Sequence, residues 1–245
     1  MQKNVIVTGG SRGLGLGIAR KLVTAGYQVI AIARHETDQL ACAMQRKEPG
    51  QKSSIFFKAF DLDETSGIPD LVKELRKEFG SIHGLVNNAG LGTSGILATM
   101  HDSQIQRLVH LNTVSPIILT KHVVRSMMAD GGGRIVNIAS IVSFTGYSGL
   151  SVYSATKASI VGFTKSLARE VGPLGINVNA VAPGFLATEM TESLGGPQRE
   201  QIARRSALHR LAEVDDVANA VEFLLSDKAR NITGTVLTVD AGNTA

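Results

Sequence analysis

Short apolar runs alternate with longer amphipathic stretches along the chain, and this alternation limits the fold more than any other feature. The runs are rich in β-branched residues and nearly continuous in apolar character, which is typical of strands covered on both faces. Such alternation predicts βαβ units on a parallel sheet. The predicted strands are Asn4–Thr8, Gln28–Ala33, Ser54–Phe60, Gly84–Asn87, Arg134–Ala139, Asn177–Ala182 and Val236–Asp240.

Helices are predicted between the strands, because apolar residues there recur every three or four positions. In the first helix Leu14, Ile18 and Leu22 form such a stripe. The expected fold is therefore α/β, a doubly wound parallel sheet of seven strands with helices on both faces. The predicted helices are Leu14–Ala25, Asp38–Lys47, Glu64–Phe79, Ser103–Met128, Val152–Val171 and Val214–Leu225.

Length and composition narrow the class of protein. A chain of 245 residues without a linker or a repeat predicts one domain over 1–245, and the irregular stretch 184–211 predicts a substrate lid. The net charge is only +4 and the basic residues are scattered, which argues against a nucleic-acid partner. No apolar run is long enough for a signal segment or a membrane span, so we expect a soluble, cytoplasmic protein without a membrane partner.

Cysteine and histidine usage argues against metal chemistry. Cys42 is the only cysteine, which excludes an intramolecular disulfide and a cysteine-rich metal site. The six histidines lack a metal-ligand spacing such as H-E-x-x-H, so we expect no metal.

A glycine-rich loop lies between the first predicted strand and the first predicted helix. It reads Thr8-Gly9-Gly10-Ser11-Arg12-Gly13-Leu14-Gly15. Glycines here allow a tight turn and close backbone approach, so that amide N–H groups and the helix N-terminus face a pyrophosphate. The alternative is a glycine-rich turn that only caps the helix.

Arg34 stands nineteen residues after Gly15, at the end of the second predicted strand. Proteins that bind NAD usually carry an acid at this place, whereas a guanidinium matches a 2′-phosphate, so NADP(H) is favoured. Arg12 is a second candidate phosphate ligand. The alternatives are a surface arginine without function and a role for Glu36, which would favour NAD.

Tyr153 and Lys157 lie four residues apart at the start of a predicted helix and so share one face. A tyrosine that exchanges a proton near neutral pH needs its pKa lowered by about three units, or about 4 kcal/mol. One positive charge about 4 Å away supplies a similar amount at the effective dielectric of a protein, so Lys157 is expected to lower the pKa of Tyr153. Ser140 ends a strand where ligands usually lie, and its hydroxyl is a candidate to hold a substrate oxygen.

Pro116 falls inside the long predicted helix Ser103–Met128. Proline has no N–H, so the carbonyl of Asn112 is expected to lose its helical donor. That carbonyl either binds a water that links Lys157 to solvent, or it merely marks a kink.

Taken in order, these motifs resemble the short-chain dehydrogenase/reductase family, and the resemblance covers nearly the whole chain. Beyond the glycine loop, it rests on Asn87-Asn88-Ala89-Gly90 and on Pro183-Gly184-x-x-x-Thr188. It implies a Rossmann fold, hydride transfer with nicotinamide, and usually a homotetramer. The catalytic residues that it implies are Asn112, Ser140, Tyr153 and Lys157. The implied contacts to the cofactor are Gly9, Ser11, Arg12, Gly13, Leu14, Gly15, Arg34, Asp61, Leu62, Asn88, Ala89, Gly90, Tyr153, Lys157, Pro183, Gly184, Leu186 and Thr188.

Two aspartates compete for one of these roles. Asp61 is similar to the family's adenine-contacting acid, while Asp63 before Glu64 predicts a helix N-cap.

Within the family, the stretches 162–171 and 181–185 are similar to the 3-oxoacyl-[acyl-carrier-protein] reductases. This likeness implies an NADPH-dependent ketoreductase that acts on a 3-oxoacyl thioester, in fatty acid biosynthesis. Those enzymes commonly carry basic residues for the acidic carrier where this chain has Gly131 and Leu174, although Arg125, Arg134 and Arg169 are nearby. The acyl carrier protein is therefore a doubtful partner, and a small thioester or ketone is the expected substrate.

Other functions stay open from the sequence. A reductase or dehydrogenase for a small secondary alcohol or ketone needs the same residues, and a non-catalytic NADP sensor needs only some of them. Nucleotide-sugar epimerases share Tyr-x-x-x-Lys, but they generally need a larger C-terminal domain than the 88 residues after Lys157.

Overall fold

Seven parallel strands form one sheet in a computed structural model that describes residues 3–46, 53–186 and 196–245. Their order across the sheet is β3-β2-β1-β4-β5-β6-β7, so the winding reverses between β1 and β4. Ligands of such sheets bind in the crevice outside the carboxyl ends of the strands at this reversal. The strands are β1 Asn4–Thr8, β2 Gln28–Ala33, β3 Ile55–Ala59, β4 Ile82–Asn87, β5 Gly133–Ile138, β6 Ile176–Pro183 and β7 Val236–Val239.

Helices cover both faces of the sheet, and the alternation of side chains along β1 shows how. Val5 and Val7 pack on one face with the helices that follow β1 and precede β7, while Ile6 packs on the other face. The predicted α/β class and the doubly wound, seven-stranded Rossmann-type sheet are confirmed. The helices are α1 Gly13–Thr24, α2 Asp38–Gln45, α3 Ile68–Phe79, α4 Asp102–Val109, α5 Ser115–Asp130, α6 Ser151–Val171, α7 Gly196–Arg205 and α8 Val214–Leu225.

The prediction of one continuous helix over Ser103–Met128 is wrong. The structure divides it into α4, a π-helical segment His110–Val114, and α5. Pro116 lies in the first turn of α5, just after the π segment. Since proline cannot donate, the chain widens to an i→i+5 pattern before it, as in the bond from Ser115 N–H to the His110 carbonyl.

Two other differences concern the segments around helices. α3 begins at Ile68 rather than Glu64, because a 3₁₀ turn Thr65–Gly67 precedes it. The predicted lid 184–211 contains α7, which the sequence analysis missed, and its residues 187–195 lie outside the described residues.

Two kinds of feature are absent from the part of the chain that the structure describes. No helix there is long and apolar enough to cross a membrane. No group of three or more His, Cys, Asp or Glu side chains there is arranged to bind a metal.

Candidate functional site

The carboxyl ends of β1 and β4 are tied together by Thr8, which the sequence analysis did not count as a site residue. Its hydroxyl oxygen accepts hydrogen bonds from the N–H groups of Asn88 at 3.0 Å and Ala89 at 2.9 Å. The Asn88 side-chain amide in turn donates to the Thr8 carbonyl at 2.9 Å. A hydroxyl residue at the end of a buried strand, beside a glycine loop, is the signal that would have found it. This network fixes the crevice at which the winding of the sheet reverses.

The glycine loop leaves no room for a side chain at Gly15. A Cβ there would lie 2.1 Å from the Gly9 carbonyl oxygen and 2.6 Å from the Asn88 side-chain nitrogen. Gly9 and Gly13 have φ angles of 65° and 54°, in the left-handed region that glycine tolerates. Because Gly15 has no side chain, the backbone of the first turn of α1 packs directly against the end of β1 and Asn88.

The N-terminus of α1 is open to an anion. Arg12 occupies the N-cap position without a side-chain cap bond, and the first turn carries no acidic residue. Its free N–H groups form a site of positive potential. Ser11 is buried in the loop, and its carbonyl accepts a hydrogen bond at 2.5 Å from the Thr37 hydroxyl, which fixes the loop against the start of α2.

Arg34 follows the end of β2 and is exposed, as are Arg12 and Glu36. No hydrogen bond or ion pair joins the side chain of Arg34 to any other described residue, and the same holds for the side chain of Arg12. Two unpaired guanidinium groups therefore flank the loop, which suits a phosphate.

The segment after β3 contains both candidate aspartates. Asp61 accepts a hydrogen bond at 3.0 Å from the Asp63 N–H, and Leu62 is buried, with its carbonyl accepting a 2.7 Å bond from the Ser115 hydroxyl. The predicted capping role of Asp63 is wrong, because α3 starts five residues later. The Asp63 carboxylate instead lies 3.5 Å from the Arg107 side chain.

Asn112 lies in the π segment and is buried, and its side chain joins two loops. Its Oδ1 accepts from the Leu91 N–H at 2.8 Å, and its Nδ2 lies 2.8 Å from the Leu91 carbonyl and 3.2 Å from the Thr156 hydroxyl. Asn112 thereby fixes the chain after Asn88-Ala89-Gly90 against the start of α6.

Lys157 is buried beside Asn112 and Gly90. Its ammonium group donates to the Ile138 carbonyl at 2.8 Å, at the end of β5. A Cβ on Gly90 would lie 3.7 Å from the Lys157 nitrogen and 3.1 Å from the Asn112 Oδ1, so only glycine leaves this contact undisturbed. The structure thus brings three of the predicted residues together.

Tyr153 and Ser140 are the other two predicted catalytic residues. The Lys157 ammonium lies 5.7 Å from the centre of the Tyr153 ring. The Ser140 hydroxyl oxygen accepts a long hydrogen bond of 3.4 Å from the Val142 N–H. Neither hydroxyl donates a hydrogen bond to another described residue, so both are available to a ligand oxygen.

The pKa values of Tyr153 and Lys157 differ from those expected from the sequence. Burial raises the pKa of Tyr153 to about 12 and lowers the pKa of Lys157 to about 8. The expected net lowering of the Tyr153 pKa is wrong for this structure, because burial of the phenol disfavours its charged form and outweighs the effect of the Lys157 charge. The Lys157 ammonium is directed to the Ile138 carbonyl, whereas its approach to Tyr153 is to the ring.

We expect the buried Lys157 to make the stability of the cofactor-free protein depend on pH. Its pKa is about 8 in the folded protein against 10.5 for the ordinary group, so the unfolded chain binds more protons between these values. Stability therefore rises with pH over this window, by about 3 kcal/mol. Urea unfolding of the wild type and of Lys157→Met at several pH values should show the wild type gaining that much relative to the variant between pH 8 and 10.5. A constant difference between the two proteins would contradict the burial of a charge.

The turn after β6 lies against the C-terminal end of the chain. The Gly184 N–H donates to the Val239 carbonyl at 2.9 Å, and a Cβ on Gly184 would lie 2.7 Å from the Asp240 Cβ. Pro183 ends β6, and Leu186 forms an isolated bridge with Ala212. Thr188, the remaining residue predicted here, lies outside the described residues.

Comparison with known proteins gave matches over almost the entire chain. A family model described as short chain dehydrogenase matches residues 3–199. The 3-oxoacyl-[acyl-carrier-protein] reductase FabG of Haemophilus influenzae is 41% identical over 240 residues, covering 98% of this chain and 97% of its own. The protein of the same name from Escherichia coli is 39% identical over 240 residues, covering 98% and 96%.

Solved structures share the fold as well. The structure of ElxO with NADP bound has a TM-score of 0.90 and 29% identity, covering 99% of both chains. A gluconate 5-dehydrogenase from Burkholderia cenocepacia, in complex with NADP and tartrate, has a TM-score of 0.93 and 28% identity, covering 100% of this chain and 96% of its own.

Proposed function

This chain belongs to the short-chain dehydrogenase/reductase family, and from that membership we propose that it is a ketoreductase that reduces a 3-oxoacyl thioester to the 3-hydroxy product. The chain is an NADP(H)-dependent oxidoreductase. The observation that supports the finer proposal is that neither the Ser140 nor the Tyr153 hydroxyl donates a hydrogen bond to another described residue, while the buried Lys157 ammonium lies 5.7 Å from the centre of the Tyr153 ring. That set is suited to a carbonyl oxygen that must accept a proton.

The residues around the reversal of the sheet fit a dinucleotide. A Cβ on Gly9 or on Gly15 would lie within 3.0 Å of a neighbouring atom, one on Gly13 would have no atom within 4 Å, and the first turn of α1 carries no acidic residue. We propose that the loop residues Gly9, Ser11, Gly13, Leu14 and Gly15 hold the pyrophosphate. Arg12 and Arg34 would pair with the 2′-phosphate. The remaining proposed contacts are Asp61 and Leu62 at the adenine, Asn88, Ala89 and Gly90 along the crevice, and Tyr153, Lys157, Pro183, Gly184, Leu186 and Thr188 toward the nicotinamide.

The proposed chemistry divides between hydride and proton. When bound, NADPH supplies the hydride to the carbonyl carbon and is oxidised to NADP⁺. Ser140 holds the carbonyl oxygen by a hydrogen bond, and Tyr153 gives its proton to that oxygen as the new C–H bond forms. The raised pKa of Tyr153, about 12, keeps the phenol protonated until then. Lys157 stabilises the resulting tyrosinate by its positive charge.

Asn112 acts in this scheme as a positioning residue. Its bonds to Leu91 and to Thr156 fix the start of α6, which carries Tyr153 and Lys157. The Lys157 contact with the Ile138 carbonyl ties the same helix to β5 near Ser140.

The substrate is proposed to be a thioester that does not depend on a carrier protein. Gly131 and Leu174 offer no charge to an acidic partner. Arg134 already lies 4.0 Å from Asp227, whereas Arg125 and Arg169 form no ion pair with any described residue and so remain the residues that argue for a carrier.

The test of the proposed function is NADPH consumption with a short 3-oxoacyl thioester. We expect the protein to reduce acetoacetyl-N-acetylcysteamine, and the fall in NADPH absorbance measures the rate. The same acyl group on an acyl carrier protein should give a similar kcat/KM at low and at high salt. A large carrier preference that collapses with salt would restore the carrier-dependent reductase, because charge-steered docking weakens as salt screens it.

Arg34→Asp is expected to shift the preference from NADPH toward NADH. The change removes a guanidinium that pairs with the 2′-phosphate and adds an acceptor for the ribose hydroxyls. Loss of a charge-assisted bond of ~1.5–3 kcal/mol should lower the NADPH to NADH ratio of kcat/KM about 10- to 100-fold. Glu36→Gln serves as the matched control, and an unchanged ratio in the Arg34 variant would show that Arg34 is a surface residue without this role.

A further inference from the structure

Two neighbouring turns contain the non-glycine residues with left-handed backbone in the described parts of the chain. His209 has φ 51° and Ala241 has φ 57°. The turns touch, because the Leu208 N–H donates to the Ala241 carbonyl at 3.0 Å. Left-handed backbone costs an L-residue about 1–2 kcal/mol, and such strain is concentrated at ligand clamps and active sites. Glycine would remove this cost at 209, so a histidine there calls for a role of its side chain.

The turn that carries His209, residues 206–210, is firmly anchored. Ser206 is buried, and its hydroxyl oxygen lies 2.9 Å from the carbonyl oxygens of Ala203 and Arg210. The Ala207 N–H donates to the Gly242 carbonyl at 3.3 Å. These hydrogen bonds fix the backbone of residues 206–210, which carries the exposed side chains of the turn.

The partner of this turn, residues 240–244, joins it to the candidate active site. Asp240 packs against Gly184, and the Tyr147 hydroxyl donates to the Asn243 side chain at 3.3 Å. The Tyr147 ring contacts Phe185 edge-on, with ring centres 5.5 Å apart. Residues 206–210 thus lie at the same edge of the sheet as the Pro183-Gly184 turn.

This edge carries unpaired positive charge. Residues 196–210 contain four arginines against one glutamate, a net charge of +3 within a chain whose total is +4. Arg204 is paired with Glu200 at 3.5 Å. Arg205, His209 and Arg210 are exposed and form no hydrogen bond or ion pair through their side chains with other described residues. Leu208, between them, is 61% exposed.

We propose that Arg205, His209 and Arg210 bind the phosphate groups of a coenzyme A thioester, with Leu208 against its pantetheine arm. This inference rests on the proposed function and names the carrier of the acyl group. Guanidinium groups match phosphate oxygens in charge and geometry, and the imidazole adds a further donor. Coenzyme A combines several phosphate charges with a narrow, partly apolar arm, and residues 205–210 combine three exposed basic side chains with one exposed leucine.

The first experiment compares acetoacetyl-CoA with acetoacetyl-N-acetylcysteamine, which lacks the phosphates. In the wild type, kcat/KM is expected to be at least tenfold higher for the CoA thioester. In the double variant Arg205→Gln, Arg210→Gln, kcat/KM for the CoA thioester should fall about tenfold or more, since each charge-assisted bond is worth roughly tenfold. The kcat/KM for acetoacetyl-N-acetylcysteamine should change less than about twofold. Arg204→Gln is the control, because its guanidinium is already paired.

The second experiment uses His209→Gly, which suits the left-handed backbone. It should fold with an unchanged or higher Tm and yet bind coenzyme A more weakly, measured by calorimetry with coenzyme A itself. Ala241→Gly, which relieves the same backbone strain in the adjoining turn, should leave that affinity unchanged.

The outcomes separate the two proposals. Turnover of both thioesters with equal kcat/KM, unaffected by the double variant, would overturn the coenzyme A site and leave the ketoreductase intact. A preference for an acyl carrier protein that these arginines control would overturn it in favour of a protein partner. Absence of turnover with every 3-oxoacyl thioester would overturn both proposals.

Discussion

Replacing Tyr153 by phenylalanine is expected to lower kcat by about 10²–10⁴-fold, the range usual for a positioned proton donor. The change removes only the hydroxyl, which donates no hydrogen bond to another described residue, so the fold should lose nothing. The Kd of NADPH should stay within about twofold, because the ring that packs near the Lys157 ammonium remains. Steady-state rates and a fluorescence titration with NADPH measure the two effects separately.

Tyr27→Phe is the matched control for that variant. The Tyr27 hydroxyl is buried and donates to the Leu225 carbonyl at 3.3 Å, remote from the carboxyl ends of the strands. Its removal should cost about 1 kcal/mol of stability and leave kcat unchanged, the reverse of the Tyr153 pattern. A Tyr153→Phe protein that keeps more than about a tenth of the wild-type rate would show that another group gives the proton.

The strands were predictable because burial on both faces leaves a simple mark. The runs Asn4–Thr8 and Gln28–Ala33 consist mainly of Val, Ile and Ala, and the structure places both strands at those bounds. The end of the first strand and the glycines after it also located the tight turn between β1 and α1, since backbone contact of Gly15 with Gly9 excludes every other residue. Local sequence was sufficient where one residue type alone meets the steric demand.

Features that depend on distant contacts were not predictable. The π segment His110–Val114 combines the nearby Pro116 with the bonds of Asn112 to Leu91, twenty-one residues earlier. Asp63 pairs with Arg107, which is distant in the sequence, instead of capping the adjacent helix. The pKa direction of Tyr153 depends on burial, which Tyr-x-x-x-Lys spacing does not report.

Gly15→Ala is expected to abolish useful cofactor binding while the rest of the fold survives. The new methyl group would lie 2.1 Å from the Gly9 carbonyl oxygen and 2.6 Å from the Asn88 side-chain nitrogen. Both neighbours belong to the crevice, and the carbonyl is backbone, so relief requires α1 to move away from β1. Overpacking of this kind costs about 3 kcal/mol, and displacement of the helix N-terminus should raise the Kd of NADPH about a hundredfold or more.

Gly162→Ala is the matched control, which tests whether the loss of NADPH binding is specific to the glycine loop. Gly162 is exposed in the middle of α6, and a methyl group at this position would have no neighbouring atom within 4 Å beyond its own helix backbone. Alanine is favoured over glycine in a helix by about 1 kcal/mol, so this protein should be slightly more stable and bind NADPH normally. Thermal unfolding with and without NADPH measures both quantities, because a bound ligand raises Tm by an amount that grows with its affinity. If Gly15→Ala still gained the wild-type increase in Tm from NADPH, the close contact of α1 with β1 would not be what forms the cofactor site.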